Sequence, residues 1–261
     1  RALAFDPPRF GHLPMILGPD RSKLSKRHGA TALLEYRDDG FLPEAVANFL
    51  LLLGWSLDDK TEIIGPQAAI EGFSLDRVSR SAAIFDHDKL TWMNGMYIRQ
   101  LSVEELTDRL LPFLERDLPA GVLPVNRDHL LSIVPLIQQR IKLLSDAANL
   151  TSYFFQAEVE YDPLSLVQKG MDRESALAAL EAARDGLAKV SQFEHQAMEE
   201  LLRAAASLLG LSARQFFGTL RVAATGREAS PPLFETMEIL GRKRVLERVG
   251  FAIELLTAVQ H

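Results

Sequence analysis

Between Gly18 and Ala30 the chain reads Gly18-Pro19-Asp20-Arg21-Ser22-Lys23-Leu24-Ser25-Lys26-Arg27-His28-Gly29-Ala30. Four basic groups, two hydroxyls and flanking glycines in one short stretch are suited to wrapping a polyphosphate. Ammonium and guanidinium groups neutralise phosphate oxygens, while hydroxyls and backbone N–H groups donate hydrogen bonds to them. The Gly-x-x-x-x-Gly-Lys-Ser/Thr spacing of a P-loop is absent, so the loop is of another kind. A solvated Lys- and Ser-rich loop is the plain alternative on composition alone. Little else invites chemistry. There is no cysteine, hence no thiol nucleophile, disulfide or Cys-type zinc site. The six histidines lack an i, i+4 metal-binding pair. Only His28 is placed to touch a phosphate. A second basic group, Arg242, Lys243, Arg244 and Arg248, follows Gly241. It reads as a solvated helix face, with an RNA-phosphate contact as the functional alternative.

The elements that must carry these groups are mostly helical. A short apolar run, Leu13, Met15, Ile16 and Leu17, predicts a strand leading into the turn at Gly18-Pro19-Asp20. Helices are expected over 31–37, from Pro43 to a stop at Gly54, near Ser74, and over 86–97. The leucine run 50–53 is expected inside a buried helix, and Trp55 and Trp92 in the core. After residue 100 the pattern is helical throughout. Ser102 and Glu105 form a capping-box signature ahead of Leu106, Leu110 and Leu114. Leu130, Val134, Ile137, Ile141 and Leu144 recur at helical spacing, with Pro135 a start or kink. Further helices are expected over 173–188, 191–209, 212–223, 231–240 and 241–259, punctuated by Gly186, Gly210, Gly226 and Gly241. The apolar content, 47%, is sufficient for a sizeable core, and no apolar run approaches the ~20 residues a membrane span needs. The net charge of −6 is unevenly spread. Residues 1–37 carry seven basic and three acidic groups, and residues 201–261 eight and five, so an acidic centre lies between two mildly basic ends. A chain with this charge is no general nucleic-acid coat, although separated basic ends can touch a long polyanion.

Lys23-Leu24-Ser25-Lys26-Arg27 resembles the KMSKS signature of class I aminoacyl-tRNA synthetases, in the form typical of glutamyl enzymes. His12-Leu13-Pro14 and His28-Gly29-Ala30 match its context. Three more blocks follow in order. Asn48 to Ser56 resembles N-x-L-x-L-L-G-W-S. Phe85-Asp86, Lys89-Leu90, Trp92, Asn94 and Tyr97-Ile98 resemble F-D-x-x-K-L-x-W-x-N-x-x-Y-I. Leu220 to Gly226, with Pro232 and Leu240-Gly241-Arg242, resembles R-V-A-x-T-G…P…L-G-K. The set is similar to the C-terminal part of bacterial-type glutamyl-tRNA synthetases, from the KMSKS loop to the chain end. Leu24 and Arg27 depart from the Met and final Ser of KMSKS. The family's HIGH motif and amino-acid pocket have no counterpart in this sequence.

The resemblance implies a mainly α fold: the KMSKS loop and stem-contact segment over 1–99, then helical anticodon-binding subdomains over 100–162 and 163–261. It implies an ATP-dependent ligase that joins glutamate to tRNA in the cytoplasm, with Mg2+ brought by ATP, no zinc in this portion, and a monomeric state. Lys26 and Lys23 are the expected catalytic groups. Lys23, Ser25, Lys26, Arg27 and His28 are expected to hold ATP. Gln138, Arg140, Arg214, Arg221 and Thr225 are expected to contact the tRNA. Gln138 lies two residues before the Arg of the segment Arg140-Ile141-Lys142-Leu143-Leu144, where enzymes restricted to tRNA-Glu can carry an Arg. A glutamine there implies acceptance of tRNA-Gln as well. Without the HIGH motif and the glutamate pocket, the chain as given is expected not to charge tRNA by itself. Alternatives are a non-catalytic tRNA-binding module, a glutaminyl-tRNA synthetase relative, whose C-terminal part is β-barrel, and a glutamyl-queuosine-type paralogue, which lacks an anticodon domain.

Overall fold

The computed structural model describes residues 8, 10–25, 27 and 32–258. Two compact units are present: residues 1–101 with 141–144, and residues 102–140 with 145–261.

The first unit is built on a two-stranded parallel pair. β1 (Ile16–Leu17) lies beside β2 (Ala83–Ile84), with Ile16 opposite Ala83. The helices are α1 (Leu33–Asp39), α2 (Pro43–Leu52), α3 (Pro66–Gly72) and α4 (His87–Gln100). Pro43 opens α2 at the position where a missing N–H costs nothing, and Asp86 caps α4 by accepting from Lys89 N at 3.0 Å. Tyr36, Phe41, Phe49 and Phe85 form the aromatic centre, with Phe49 and Phe85 ring centroids 4.9 Å apart. Two buried asparagines tie the loops to this core. Asn94 Oδ1 accepts from Leu42 N at 2.7 Å, and its Nδ2 donates to Lys142 O at 2.6 Å and Gly40 O at 3.4 Å. Asn48 Oδ1 accepts from Ile64 N at 2.8 Å and lies 2.9 Å from the Tyr97 hydroxyl.

Two sequence expectations fail in this unit. Trp55 is buried, but Trp92 is 41% exposed, because α4 turns Leu90, Met93, Asn94 and Tyr97 inward. The leucine run is not buried either: Leu50 is 47% exposed, and α2 buries Ala45, Val46, Asn48 and Phe49 instead. Leu50 lies between two apolar grooves. One, of about 420 Å³, is walled by Leu33, Leu34 and Phe41; the other, of about 260 Å³, by Leu13, Met15, Trp55 and Phe73.

The second unit contains no strand among its described residues, which removes the β-barrel ending of the glutaminyl alternative. Its helices are α5 (Val103–Asp117), α6 (Arg127–Ile137), α7 (Asp146–Phe155), α8 (Arg173–Lys189), α9 (His195–Leu208), α10 (Ala213–Thr225), α11 (Leu233–Leu240) and α12 (Arg242–Ala258). The mainly α expectation therefore holds. Ser102 caps α5 by accepting from Glu105 N at 3.1 Å, and Leu106, Leu110 and Leu114 are fully buried, as their spacing predicts. The periodic run from Leu130 is not one helix. α6 stops at Ile137, and Ile141 and Leu144 pack in the first unit, where Leu144 N donates to Gly40 O at 3.0 Å. Gly186 is no helix end but lies inside α8: a Cβ there would sit 2.4 Å from Leu201 of α9, so its absence allows the two helices to close.

Of the basic group on α12 only Lys243 is a solvated residue; Arg242, Arg244 and Arg248 turn inward. Arg248 is 3% exposed, and its guanidinium donates to Ala224 O at 2.5 Å and to Tyr153 O and Gln156 O, each at 2.7 Å. Arg244 donates to Phe154 O at 2.6 Å, and Arg242 donates to Val190 O. These are carbonyls at the C-terminal ends of α10, α7 and α8, which have no partners within their own helices and carry the negative end of the dipole. Burial, with Arg244 alongside, pushes the Arg248 guanidinium down to about 10, so it remains a cation at neutral pH.

Arg248→Met should destabilise the second unit by about 3 kcal/mol, since two buried carbonyls and one half-buried one lose a charged donor. Arg248→Lys should recover little of this, because an ammonium cannot match the planar fork. Thermal melts followed by helical circular dichroism check the point; melting of the Met variant at the wild-type temperature would contradict it.

Candidate functional site

Two regions hold the residues singled out by the sequence, one in each unit. The basic loop leaves β1 and doubles back on itself. Leu24 N donates to Ile16 O at 3.1 Å, Gly18 N to Ser22 O at 2.8 Å, and Arg21 N to Gly18 O at 2.9 Å. Arg21 has φ +61°, a left-handed turn held by a non-glycine residue. Asp20 organises the turn: its carboxylate accepts from Ser22 N at 2.9 Å and Ser22 Oγ at 2.7 Å. Arg27 reaches back to Ser22 Oγ at 2.7 Å and lies 3.5 Å from Asp20. Lys23 is exposed and forms no ion pair with a described residue. Ser25 is half-buried. Lys26 and His28 lie outside the described residues. Asp20 is thus the acidic residue that shapes this basic loop, a role its sequence position alone does not reveal.

The second region lies on α10 and its surroundings. Arg214 and Arg221, seven residues apart, share one face of the helix and line a groove of about 470 Å³ with Phe217, Gly218, Gln168 and Glu228. Arg221 is half-buried. Burial and the neighbouring Arg140 both hold its guanidinium below the usual arginine range, and among the described residues no carboxylate lies within ion-pair distance. Arg140 is exposed and donates to Ser230 O at 3.3 Å. Arg227, which the sequence reading missed, joins the cluster: it donates to Asn149 Oδ1 at 3.1 Å and Ser152 Oγ at 3.0 Å and lies over the Tyr153 ring at 5.8 Å. The Tyr153 phenol is pushed up to about 12 by burial, with the arginines pulling the other way. Three guanidinium groups therefore converge where few acids balance them. That arrangement attracts an anion.

The other two expected contacts stand differently. Gln138, half-buried, ends α6 and lies two residues ahead of Arg140. Thr225 is 1% exposed. Its hydroxyl donates to Arg221 O at 2.8 Å and accepts from Arg227 N at 3.3 Å. As positioned, it holds the end of α10 rather than facing the groove. Among the described residues, no group of three His, Asp or Glu side chains is placed to hold a metal ion, and no helix is long and apolar enough to cross a membrane.

Comparison with known proteins bears on both regions. Residues 105–253 match the family model described as an anticodon binding domain, and residues 1–92 match that of the catalytic domain of class I tRNA synthetases (E and Q). A glutamate–tRNA ligase of Dehalococcoides mccartyi is 50% identical over 258 residues, covering 98% of this chain and 53% of the relative. One from Moorella thermoacetica is 46% identical over 254 residues, covering 97% and 52%. The crystal structure of a glutamate tRNA ligase from Elizabethkingia meningosepticum has a TM-score of 0.80 at 27% identity, covering 97% of this chain and 53% of that one. The chain spans about half the length of the curated relatives it matches. The ordered motifs, the helical second unit and these matches together establish that the chain belongs to the glutamyl-tRNA synthetase family and carries its anticodon-binding domain.

Proposed function

We propose that this chain is the C-terminal portion of an ATP-dependent glutamate–tRNA ligase, and that the arginine groove on α10 receives the single-stranded anticodon of tRNA-Glu. The carrying observation is Arg221: a half-buried cation, crowded by Arg140 and without an acidic partner. A phosphodiester supplies the missing charge, and splayed anticodon bases can enter the groove beside it. Arg140 and Arg214 extend the cationic surface to either side. Thr225 acts here through the position it gives Arg221 and Arg227. The subdivision of the helical region at about residue 163 belongs to the same reading.

The loop at 18–30 serves the activation step. A glutamate carboxylate oxygen attacks the α-phosphorus of ATP, and the bond to the bridging oxygen breaks, releasing pyrophosphate. A ribose hydroxyl of the tRNA then takes the glutamyl group from the adenylate, releasing AMP. Negative charge grows on phosphate oxygens in the first step, and fixed cations stabilise it. Lys26 is assigned the leading role, with Lys23, Ser25, Arg27 and His28 closing over the phosphates. Mg2+ enters as part of the substrate MgATP: the one carboxylate in the described loop, Asp20, is already engaged by Ser22 and Arg27.

Arg221→Ala should weaken tRNA-Glu binding by roughly 10- to 150-fold, one charge-assisted contact of about 1.5–3 kcal/mol, and should flatten the salt dependence by about one unit of slope. Unchanged affinity in a filter-binding titration across salt concentrations would refute the groove assignment. In the full-length parent enzyme, Lys26→Ala should slow pyrophosphate exchange roughly 30- to 1000-fold, worth about 2–4 kcal/mol, and leave tRNA affinity nearly unchanged; an unaltered exchange rate removes Lys26 from catalysis. A glutamine amide offers both a donor and an acceptor and tolerates more than one base. With Gln138 in place, the parent should therefore charge tRNA-Gln as well as tRNA-Glu, and a preference for tRNA-Glu above ~100-fold, about 2.7 kcal/mol, counts against that role.

A further inference from the structure

Within the groove on α10, one side chain occupies a seat that only glycine permits. A Cβ at Gly218 would lie 2.5 Å from Gln168 Oε1, 2.7 Å from its Cδ and 3.0 Å from its Cγ. The Gln168 amide thus occupies the space beside Gly218 on α10, in the wall that Arg214 and Arg221 also line. Its orientation is fixed by chemistry. Nε2 donates to Ser165 O at 2.9 Å, and a carbonyl can only accept, so the amide nitrogen must face that side. The turn that carries Gln168 is itself clamped onto α10. Thr219 Oγ1 donates to Leu166 O at 2.9 Å, Gln215 Nε2 to Lys169 O at 3.5 Å, and Leu166 is fully buried. Oε1 accepts no hydrogen bond from a described residue. The result is a carbonyl acceptor, its amide held by one hydrogen bond, in a cationic groove with its own lone pairs unspent.

We propose that Gln168 is a specificity-determining residue that reads the exocyclic amine of an unpaired RNA base, its Oε1 accepting from the amine while Arg214 and Arg221 hold the adjoining phosphates. The inference rests on the reading of this groove as the RNA site. A fixed acceptor favours cytosine, adenine or guanine, which carry amino groups, over uracil, which carries none. The lost alternative is costly for the wrong base, because a carbonyl covered by RNA and left without a donor has given up its water. Gly218 is a positioning residue: it acts only by leaving room for the amide. Glu228, on the same groove wall, is a second acceptor, but it is exposed and not held by neighbouring groups.

The test uses the full chain and hairpin RNAs bearing the anticodon loop of tRNA-Glu, with each amine-bearing loop base replaced in turn by uridine. Binding is read by fluorescence anisotropy at fixed salt. Wild type should lose about tenfold in affinity at one loop position. Gln168→Met should bind the parent hairpin about tenfold more weakly and bind the substituted hairpin no worse than the parent. Gly218→Ala should reproduce that loss of discrimination with an unchanged helical spectrum. Retention of the wild-type preference by Gln168→Met, or the absence of any such preference in wild type, overturns the proposal. Failure of the underlying reading looks different: Arg221→Ala and Arg214→Ala would then bind the parent hairpin like wild type. If instead both arginine variants weaken all hairpins alike while Gln168→Met still discriminates, the groove stands and Gln168 is not its reader.

Discussion

A polar backbone group shut away from water must find a partner, and much of this chain is arranged around that demand. Helices satisfy it along their length but not at their ends, so a bundle with many short helices has many ends to provide for. In the second unit, α12 meets the demand with a ladder of guanidinium groups, each turned toward carbonyls at the close of another helix. In the first unit, Asn48 and Asn94 do the equivalent work for loop backbone, accepting from N–H groups that no strand or helix serves. The neighbouring apolar side chains can be exchanged for others of similar volume. The donors and acceptors cannot, because their geometry is specific.

The same device closes α10 beside the arginine cluster. Arg248 fixes the end of α10 at Ala224, next to Thr225, which in turn carries the hydrogen bonds to Arg221 O and Arg227 N. A buried cation used for structure therefore sits one helix end away from the half-buried Arg221 and Arg227. Desolvation distinguishes their roles. Arg248 has three carbonyls to replace its water, whereas Arg221 has lost part of its hydration and has another arginine for a neighbour.

How much of this could be read from residues alone depended on the kind of signal. Leu106, Leu110 and Leu114 declared a buried face because helical spacing is a local property, and Ser102 declared its start for the same reason. The four helices from α9 to α12 were legible from periodicity and glycine breaks. β1 and β2 were harder: they are two residues each and pair across more than sixty positions, so only the apolar run before Gly18 hinted at one of them. The run from Leu130 to Leu144 kept its period while the chain changed unit, and periodicity cannot report which core a residue joins. Arg248 read as a surface cation because burial of an arginine depends on carbonyls ninety residues away. Arg140 and Arg221 were anticipated as contacts, but their adjacency was not, and in the groove Gln168 was invisible until the space above Gly218 was known.

The two apolar grooves beside Leu50 have a consequence for how the chain behaves as a solute. Leu33, Leu34, Leu13 and Met15 are all more than half exposed, on a molecule whose mean hydropathy is +0.01. Water around such a face is released whenever two faces meet, so at high concentration the isolated chain is a weak amphiphile. Its self-attraction strengthens with warming and with sulfate, and fades in the cold. Its net charge of −6 opposes that attraction only where ions are few enough for like charges to be felt. Cool, dilute buffers of low ionic strength therefore keep it dispersed, and salting-out agents favour the meeting of such faces.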